Sequence, residues 1–468
     1  MNPKRSSGTV SEITLNFRFT CGGFAPICAH SGGPDVLISA ANAGLGSTIY
    51  RGLRELHTYH TPLDLVRERS PERPVALARP DAVAVAARWF RTHFTGDVLY
   101  AVKANPSPWV LRALSGAGVT GFDVASLAEI KLVAEHAPGA RMAFMHPVKS
   151  RAAIEIAHAE YGVRTFVLDS HEELAKILAA TGGAKDLNLI VRLAVDAPGA
   201  AYTLNGKFGV STVDAPELLR ATRQATHGRM GISFHVGSQC MRPTAFRAAM
   251  AQASTALARA AVFADVVDVG GGFPSIYPGM TPPDLNAYMV EIEKGLDDML
   301  VHEASELWCE PGRALVAESA SLLVRVDLCK GDQLYINDGA YGSLFDAAHA
   351  KWRFPVKLVR PSGLADDHLR PFQFFGPTCD SVDHMPGPFW LPSDVREGDF
   401  IEIGMLGAYG AAMASRFNGY GDIDTAIVTD APMASQFGLA PRELSDPGQQ
   451  SGLVIRMTRN KTKKRRRR

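Results

Sequence analysis

The hexapeptide Tyr-Ala-Val-Lys-Ala-Asn, residues 100–105, places a lysine at the end of a short apolar run. The segment Val98–Val102 is rich in β-branched and aromatic side chains, and this composition predicts a buried strand. An ammonium group at the end of such a strand loses hydration unless it is paired or neutral. A lysine with a depressed pKa is also the nucleophile that forms Schiff bases with aldehydes. By itself, the motif favours a lysine that only reaches solvent from a strand end over a catalytic lysine.

Short apolar runs alternate with helical patterns from about residue 75 to residue 318. The eight runs are Val98–Lys103, Gly121–Ser126, Met142–His146, Thr165–Ser170, Leu189–Val195, Gly231–Val236, Val266–Gly271 and Leu307–Gly312. Two of the intervening helices are expected to begin with a capping box, Ser126 with Glu129 and Ser170 with Glu173. A strand followed by a helix, repeated eight times, predicts an α/β fold with a (β/α)8 barrel of the TIM type.

Polar residues stand mostly at the carboxyl ends of these runs, namely Lys103, Asp123, His146, Asp169, Arg192, His235, Gly270–Gly272, Glu310 and Arg313. Enzymes with this fold build their active sites on that face of the barrel. One His or Asp at such a position is more often a loop residue or a satisfied core group. Eight strand ends that meet on one rim favour an active site instead.

Gly270–Gly272 directly follows the apolar run Ala264–Val269. The backbone N–H groups of a glycine turn are open to close approach by a phosphate, although a tight turn explains three glycines equally well. Ser238 offers a hydroxyl donor, and Arg313 offers a guanidinium fork for a dianion. Together they predict a phosphate pocket opposite the lysine. The neighbouring Glu310 could keep a pyridine ring protonated, which makes that ring an electron acceptor.

The chain has 468 residues, a length that suits two domains. After residue 318, short apolar runs are split by Gly and Pro, and this pattern predicts a mainly β C-terminal domain. The runs are Leu322–Cys329, Leu334–Asn337, Pro355–Val359, Phe372–Phe375 and Phe400–Gly404. Cysteines at positions 21, 28, 240, 309, 329 and 379 show neither metal-ligand spacing nor a disulfide framework. We therefore expect no metal site and a reducing, cytoplasmic location.

Both ends of the chain predict little function. Residues 1–55 are rich in Gly, Ser and Ala with weak periodicity, and we expect a disordered extension there. Residues 455–468 contain nine Lys and Arg residues and therefore nine positive charges. Because the formal net charge of the whole chain is only +1, the rest of the chain is acidic. We expect a disordered, solvated tail there rather than a nucleic-acid-binding segment. Neither an apolar run that spans a bilayer nor a secretory-signal pattern is found, so we expect no membrane association.

The ordered motifs resemble the alanine-racemase-like barrel branch of pyridoxal-phosphate enzymes, and within it the ornithine, lysine, diaminopimelate and arginine decarboxylases. The resemblance covers about residues 58–430. Its motifs are Tyr-Ala-Val-Lys-Ala-Asn (100–105), Phe-Asp-Val-Ala-Ser (122–126), His-Val-Gly-Ser (235–238), Gly-Gly-Gly-Phe (270–273), Glu-Pro-Gly-Arg (310–313), Asn-Asp-Gly-Ala-Tyr-Gly (337–342), Gly-Pro-Thr-Cys-Asp (376–380) and Gly-Ala-Tyr (407–409). The resemblance implies a cofactor-binding barrel over residues 75–318 and a β-sandwich-like domain from residues 56–74 and 319–440.

The resemblance implies pyridoxal 5'-phosphate as the cofactor and gives each motif a role. Lys103 would hold the cofactor covalently, His235 would stack on its ring, and Glu310 would pair with its pyridine nitrogen. The phosphate would be bound by Ser238, Gly270, Gly271, Gly272, Arg313 and Tyr409. Asp123 and Arg192 fall where the family keeps polar groups near the lysine and the ring hydroxyl.

Other residues would contact the substrate itself, including its side-chain ammonium group. In this family Cys379 would protonate the carbon that has lost its carboxyl group, and Asp380 would pair with a side-chain ammonium. Both would come from the partner subunit, so the resemblance implies a homodimer with shared active sites. Relatives carry a further aspartate beyond the Tyr-Gly-Ser motif of residues 341–343, and this chain departs from their pattern there. Asp346 is a candidate from a shifted register, and Tyr341 is the other expected substrate contact.

The resemblance implies decarboxylation of the diamino acid L-ornithine to putrescine and CO2, with L-lysine to cadaverine as a further reaction. The sequence Cys-Asp-Ser at residues 379–381 favours ornithine over diaminopimelate, whose decarboxylases typically have Cys-Glu-Ser. Two alternatives stay open. One is a racemase or a decarboxylase of another amino acid, such as diaminopimelate or arginine. The other is a non-catalytic relative that acts as a binding protein, which would be expected to lack the cofactor contacts that this sequence retains.

Overall fold

The computed structural model describes residues 56–442 and residue 444, except for 198, 203–205 and 300–303. All described residues belong to one compact unit, Ala43–Arg468. The predictions made for residues 1–55 and 455–468 fall outside the described residues. Among the helices in the described ranges, none is both long and apolar enough to cross a bilayer.

The strands, in chain order, are β1 Thr58–Tyr59, β2 Val75–Ala78, β3 Asp97–Ala101, β4 Gly121–Val124, β5 Arg141–Phe144, β6 Thr165–Leu168, β7 Asn188–Arg192, β8 Ala200–Tyr202, β9 Met230–Ser233, β10 Ser238–Cys240, β11 Val266–Asp268, β12 Glu306–Cys309, β13 Ala320–Lys330, β14 Gln333–Ile336, β15 Val356–Val359, β16 Leu369–Phe375, β17 His384–Pro392, β18 Phe400–Ile403 and β19 Asp424–Val428. The α-helices are α1 Pro62–Arg69, α2 Pro80–His93, α3 Pro108–Gly116, α4 Leu127–His136, α5 Arg151–Ala159, α6 His171–Ala180, α7 Ala215–Ala225, α8 Thr244–Ala260, α9 Leu285–Asp297, α10 Arg313–Val316 and α11 Phe345–His349. Short 3-10 turns cover Val102–Ala104, Ala317–Ser319, Ala411–Met413 and Phe417–Gly419.

Within the described residues, eight strands close into a barrel in the order β3-β4-β5-β6-β7-β9-β11-β12. Every neighbouring pair in this barrel is parallel. The predicted (β/α)8 barrel is therefore confirmed, and each predicted run overlaps one barrel strand. The strands end two or three residues before the predicted runs do, because the polar residues that follow lie in the connecting loops.

Side chains alternate between the two faces of the barrel wall, and both faces are apolar because helices cover the outside. A separate apolar cluster is formed by Leu99, Ala143, Met145, Val167, Ile190, Val266 and Trp308. Residues next to these in the strands, such as Tyr100, Phe166 and Leu189, are fully buried in the main core. The separate cluster fills the barrel, and the cavity described below lies on the Met145 side of it.

The second sheet is mixed and has nine strands within the described residues, in the order β1-β19-β2-β13-β14-β16-β17, with β18 beside β13 and β15 beside β18. The predicted mainly β character of the region after residue 318 is confirmed. Strands β17 and β19 had not been predicted. Strand β2, at the start of the segment expected to form the barrel, pairs instead with β13 and β19. The predicted domain boundaries stay predictions.

The predicted capping boxes are only half correct. Ser126 and Ser170 accept hydrogen bonds from the backbone N–H groups of Glu129 and Glu173, each at 3.2 Å. Glu129, however, accepts from the residue before Ser126, at 2.6 Å. Glu173 pairs with the buried Lys149 at 2.9 Å, because an ammonium inside the protein needs a counter-charge more than a helix end needs a second acceptor.

Candidate active site

A cavity of about 450 Å³ opens at the carboxyl ends of the barrel strands. Of the predicted cofactor-binding residues, its lining includes Lys103, Asp123, Arg192, His235, Ser238, Gly271, Gly272, Glu310, Arg313 and Tyr409. The remaining one, Gly270, directly precedes two of these lining residues in the sequence. Residues from strands far apart in the sequence therefore meet at one rim, as the barrel topology predicts.

Lys103 lies in the 3-10 turn that directly follows β3. Its Nζ atom is 2.5 Å from Oδ2 of Asp123, a residue of β4 that is 1% exposed. The side chain of Lys103 is 44% exposed, toward the cavity. The surrounding protein disfavours the charged amine, but the carboxylates of Asp123 and Glu310 outweigh this and raise the pKa of Lys103 above its ordinary value. Of the two alternatives that the sequence left open, a paired or a neutral amine, the structure shows the paired one.

His235 presents a neutral ring to the cavity. Its Nδ1 atom accepts a hydrogen bond from the N–H group of Gly237 at 2.9 Å, which leaves the proton on Nε2. Burial, followed by the charges of Arg192 and Lys103, lowers the pKa of His235 to about 3. Gly271 lies against this ring, since a Cβ atom there would be 3.1 Å from Nε2 of His235. The glycine therefore leaves space for a flat group beside the imidazole.

Glu310 faces the cavity from the end of β12, and Asp268 lies behind it at the end of β11. Glu310 is 8% exposed and Asp268 is fully buried. Burial, followed by the charge of Asp268, raises the pKa of Glu310 well above its ordinary value. Burial likewise raises the pKa of Asp268 to about 6. Sequence reasoning missed Asp268 because it stands inside a run that was treated as apolar.

Arg313 is the buried cation at the other end of the cavity, and it begins α10. Its Nη1 donates to Oη of Tyr277 at 3.0 Å, and its Nη2 donates to Oγ of Ser238 at 3.4 Å. The guanidinium also lies 4.6 Å from the ring centre of Trp352 and 4.8 Å from that of Tyr409. Its buried Nε has no hydrogen-bond partner among the described residues. Tyr277 and Trp352 had not been predicted as site residues.

These features fit the phosphate of pyridoxal phosphate. The Nε donor of Arg313 lacks a partner, and Ser238 offers a hydroxyl beside it. Gly270 and Gly272 have φ values of +67° and +104°, which L side chains rarely adopt, and a Cβ on either would meet backbone atoms. The glycines therefore let the turn approach the neighbouring backbone closely at the edge of the cavity, where a dianion would satisfy the donors of Arg313 and Ser238.

Asp346, expected at the far end of the substrate, has its contacts at the phosphate end instead. Its Oδ1 accepts from Oη of Tyr202 at 2.9 Å, and its Oδ2 is 3.8 Å from Nη2 of Arg313. Helix α11 carries this carboxylate toward the arginine. The substrate-binding role expected of Asp346 is not supported by these contacts.

Cys379, Asp380 and Tyr341 form a second cluster, and none of them is in the lining described for the Lys103 cavity. Oη of Tyr341 donates to Oδ2 of Asp380 at 2.6 Å, which lowers the pKa of Asp380. Cys379 is exposed, and its backbone N–H donates to Oδ1 of Asn418 at 3.1 Å. The ring of Phe417 lies 4.7 Å from that of Tyr341. The structure therefore brings these three predicted residues together, but apart from the cofactor-binding group.

The outer wall of the cavity carries basic side chains around Phe208, a residue that had not been predicted. Arg192 lies 5.8 Å and Lys207 lies 4.9 Å from the centre of this ring. The ring of His146 contacts it edge to face at 5.1 Å. Burial, followed by the charge of Lys149, lowers the pKa of His146. Arg192 and Lys207 therefore supply positive charge that suits an anionic ligand.

Comparison with known proteins agrees with this site. The pyridoxal binding domain of pyridoxal-dependent decarboxylases matches residues 81–317. The lysine/ornithine decarboxylase of Selenomonas ruminantium is 33% identical over 368 residues, which is 77% of this chain and 90% of that protein. Antizyme inhibitor 2 of Xenopus laevis is 32% identical over 351 residues, 69% of this chain and 73% of that protein.

A solved structure extends the comparison. The crystal structure of SrLDC in complex with PLP and cadaverine has a TM-score of 0.67 and 28% sequence identity to this chain, and the match covers 86% of this chain and 97% of that one. The family match spans the barrel that carries Lys103, His235, Glu310 and Arg313. The chain therefore belongs to the pyridoxal-dependent decarboxylases, as a pyridoxal-phosphate enzyme of the group that contains the ornithine and lysine decarboxylases.

Proposed function

We propose that the enzyme decarboxylates L-ornithine to putrescine and CO2, and that it also converts L-lysine to cadaverine. The observation that carries this proposal is the hydrogen bond from Tyr341 to Asp380, on the loop that also presents Cys379. The bond lowers the pKa of Asp380 and holds in place a carboxylate that is ionised at neutral pH. An ionised carboxylate beside the proton donor suits a substrate that carries a second ammonium group.

At the cofactor end, each residue has a separate task. When bound, pyridoxal phosphate supplies an aldehyde for covalent attachment and a ring that accepts electrons. Lys103 would provide the attaching amine, with Asp123 holding its Nζ atom. His235 would cover one ring face as a neutral imidazole. Glu310 would pair with the pyridine nitrogen and keep that nitrogen protonated.

Cys379 would complete the reaction by donating its thiol proton to the carbon that has lost the carboxyl group. A thiol suits this task because its pKa is close to neutrality and can be tuned by its neighbours. The hydrogen bond from the backbone of Cys379 to Asn418 fixes the loop that would present the thiol. Asn418 has a φ of +54°, a conformation that Asn tolerates better than most residues.

The separation of Cys379 from the Lys103 cavity supports a homodimer with shared active sites. In such a dimer, the Cys379 loop of one protomer would face the cavity of its partner. Large apolar side chains on and near this loop are exposed, namely Val382 by 52%, Met413 by 42%, Phe417 by 45% and Tyr420 by 45%. A second copy that covers them would remove this apolar surface from water.

The second candidate function is a binding protein that has lost the chemistry, and the similarity to antizyme inhibitor 2 favours it. The retained set of Lys103, His235, Glu310 and Arg313 argues against it, because a pure binding protein has no need of a lysine held between carboxylates. The two functions differ in one simple property, the uptake of pyridoxal phosphate.

Product analysis tests the proposal. The purified protein, incubated with pyridoxal phosphate, is expected to turn yellow and to lose that colour on borohydride treatment. It should then release CO2 from ornithine in competition with lysine, arginine and diaminopimelate, with putrescine as the main product. A colourless, inert protein would refute the enzyme and support the binding protein. Release of CO2 mainly from arginine or diaminopimelate would refute the proposed substrate.

A further inference from the structure

Asp268 lies next to two parts of the proposed cofactor site, the glycine turn and Glu310. It ends β11 and is fully buried. Its Oδ1 accepts a hydrogen bond from the N–H group of Gly270 at 2.9 Å, and the carbonyl of Gly270 accepts from the N–H group of Glu310, also at 2.9 Å. The side chains of Asp268 and Glu310 are also close enough for each to change the pKa of the other. One buried carboxylate is therefore hydrogen-bonded to the glycine turn and lies near the residue expected at the pyridine nitrogen.

The other oxygen of this carboxylate lacks a donor. Oδ2 of Asp268 has no partner among the N–H and O–H groups of the described residues. Two buried carboxylates that lie close together repel each other strongly, and a single proton between them converts the repulsion into a hydrogen bond. Such a proton would also satisfy Oδ2, whose isolation would otherwise be costly.

The surroundings of the pair do not remove the need for this proton. The ionisable groups that face it are Asp123, Lys103, Arg192 and the buried thiol of Cys309. Lys103 already pairs with Asp123 at 2.5 Å. Burial raises the pKa of both carboxyl groups, that of Asp268 to about 6 and that of Glu310 well above its ordinary value. The pair therefore keeps a proton at a pH where isolated carboxyl groups have lost theirs.

We propose that Asp268 is a positioning residue that shares one proton with Glu310 and thereby aims the Glu310 carboxyl at the cofactor while anchoring the glycine turn. The inference rests on the proposed role of Glu310 at the pyridine nitrogen. The simpler reading is that Asp268 only accepts the Gly270 N–H and stabilises a turn. The two readings differ in whether the pH dependence that Asp268 contributes is coupled to that of Glu310.

The sign of that dependence follows from proton linkage. Carboxyl groups with a raised pKa in the folded state bind more protons there than in the unfolded chain. Carboxyl groups in the unfolded chain have a pKa of about 4, and those of the folded pair are higher. The pair therefore contributes less stability as the pH rises from about 4 through the pKa values of the folded pair. A buried aspartate that only accepts a backbone N–H would show a similar loss, but that loss would add to the loss from Glu310, whereas a shared proton makes the two losses one.

Asp268→Asn is the direct test, made on the full-length protein without added cofactor by urea unfolding at several pH values between about 5 and 8. The amide keeps an oxygen for Gly270 and donates an N–H to Glu310, so no shared proton is needed. The urea midpoint of the variant is expected to rise relative to that of the wild type as the pH rises. Midpoints that differ by a constant amount across this range would overturn the proposal.

Glu310→Gln tests the pair from the other side and serves if Asp268→Asn does not fold. Its midpoint should show the same pH-dependent gain, and the double variant should gain no more than either single one. Glu318→Gln is the matched control, because Glu318 is also buried with a pKa raised by burial to about 7, but bonds Ser435 and Gln436. Its effect should add to that of Asp268→Asn. Full additivity of Asp268→Asn with Glu310→Gln would contradict a shared proton.

The turnover of Glu310→Gln separates this inference from the proposed function. If the turnover is unchanged while the pH-dependent gain is observed and does not add to that of Asp268→Asn, the shared proton stands and the assignment of Glu310 fails. If the turnover collapses but the midpoints run parallel, Glu310 keeps its role and the shared proton is wrong.

Discussion

The carboxylate of Asp346 approaches the guanidinium of Arg313 at the phosphate end of the cavity, with 3.8 Å between Oδ2 and Nη2. Tyr202 fixes this carboxylate by donating to its Oδ1 at 2.9 Å. Arg313 is buried, so Asp346 stabilises a cation that has lost its hydration. The same negative charge also stands close to where the phosphate dianion would bind, and the two would repel each other.

Asp346→Asn should therefore change cofactor binding in a definite direction. The variant loses the counter-charge of Arg313, so the cofactor-free protein should be less stable by about 1–2 kcal/mol in urea unfolding. It should also bind pyridoxal phosphate several-fold more tightly in a fluorescence titration, because the arginine is then free for the phosphate. A changed preference between ornithine and lysine, with unchanged cofactor affinity, would contradict this prediction and indicate that Asp346 contacts the substrate.

The fold was largely predictable because the barrel strands are continuous apolar runs, covered on both faces. The run of β17 escaped prediction because Pro386, Gly387, Pro388 and Pro392 interrupt its apolar pattern. Strand β2 was placed with the barrel because its four residues carry no signal of the partner strand, and β13 begins more than two hundred residues later. Pairing between such distant strands is set by the tertiary fold and not by local composition.

The candidate site was predictable where motifs carry the chemistry and less so where contacts are long-range. The cofactor-binding residues predicted from the motifs, except Gly270, line one cavity, whereas Tyr341, Cys379 and Asp380 lie outside its lining. Asp346 was assigned from its position after the Tyr-Gly-Ser motif, whereas its contact with Tyr202 joins residues 144 positions apart. Asp268 was missed because its neighbours are apolar. A carboxylate at the end of a barrel strand was the available signal for it.

Asp123→Asn should shift the pH dependence of cofactor attachment. Asp123 raises the pKa of Lys103, and only the neutral amine attacks an aldehyde. In the wild type, the rate of covalent uptake of pyridoxal phosphate by the cofactor-free protein should rise as the pH rises. Without the carboxylate the lysine loses its proton more easily, so this profile should move to lower pH by about one unit or more. Stopped-flow absorbance measures the rate, and an unshifted profile would contradict the pairing.

Glu310→Gln should reduce turnover far more than it weakens substrate binding. The side chain would keep the ring nitrogen protonated, and a protonated ring matters most when it accepts electrons in the transition state, so the loss of the carboxylate affects mainly the transition state. We expect kcat to fall on the order of 100-fold while KM changes by less than about threefold. Steady-state kinetics with saturating cofactor measures both. Equal changes in kcat and KM would argue for a role in substrate binding instead.

Tyr341→Phe should weaken the recognition of the side-chain ammonium. The phenol holds the Asp380 carboxylate by a 2.6 Å hydrogen bond, and the ring of Phe417 would keep the phenyl ring in place. Loss of that bond raises the pKa of Asp380 toward its ordinary value and frees the carboxylate to rotate. KM for ornithine is expected to rise several-fold with little change in kcat. Asp380→Asn is the stronger companion variant, and a wild-type KM in both would exclude this loop from the substrate site.

Mixing Lys103→Ala with Cys379→Ala tests whether the active sites are shared between protomers. The two residues lie in separate clusters of one chain, so a shared site would combine Lys103 of one protomer with Cys379 from the other. Random reassociation makes about half of the dimers mixed, and each mixed dimer regains one intact site of two. Activity should therefore recover to about a quarter of that of the wild type, measured as CO2 release after dissociation and reassociation of the mixture. Each variant taken alone through the same treatment is the control. If the mixture is no more active than the variants alone, although mixed dimers have formed, each active site would have to be built from a single chain.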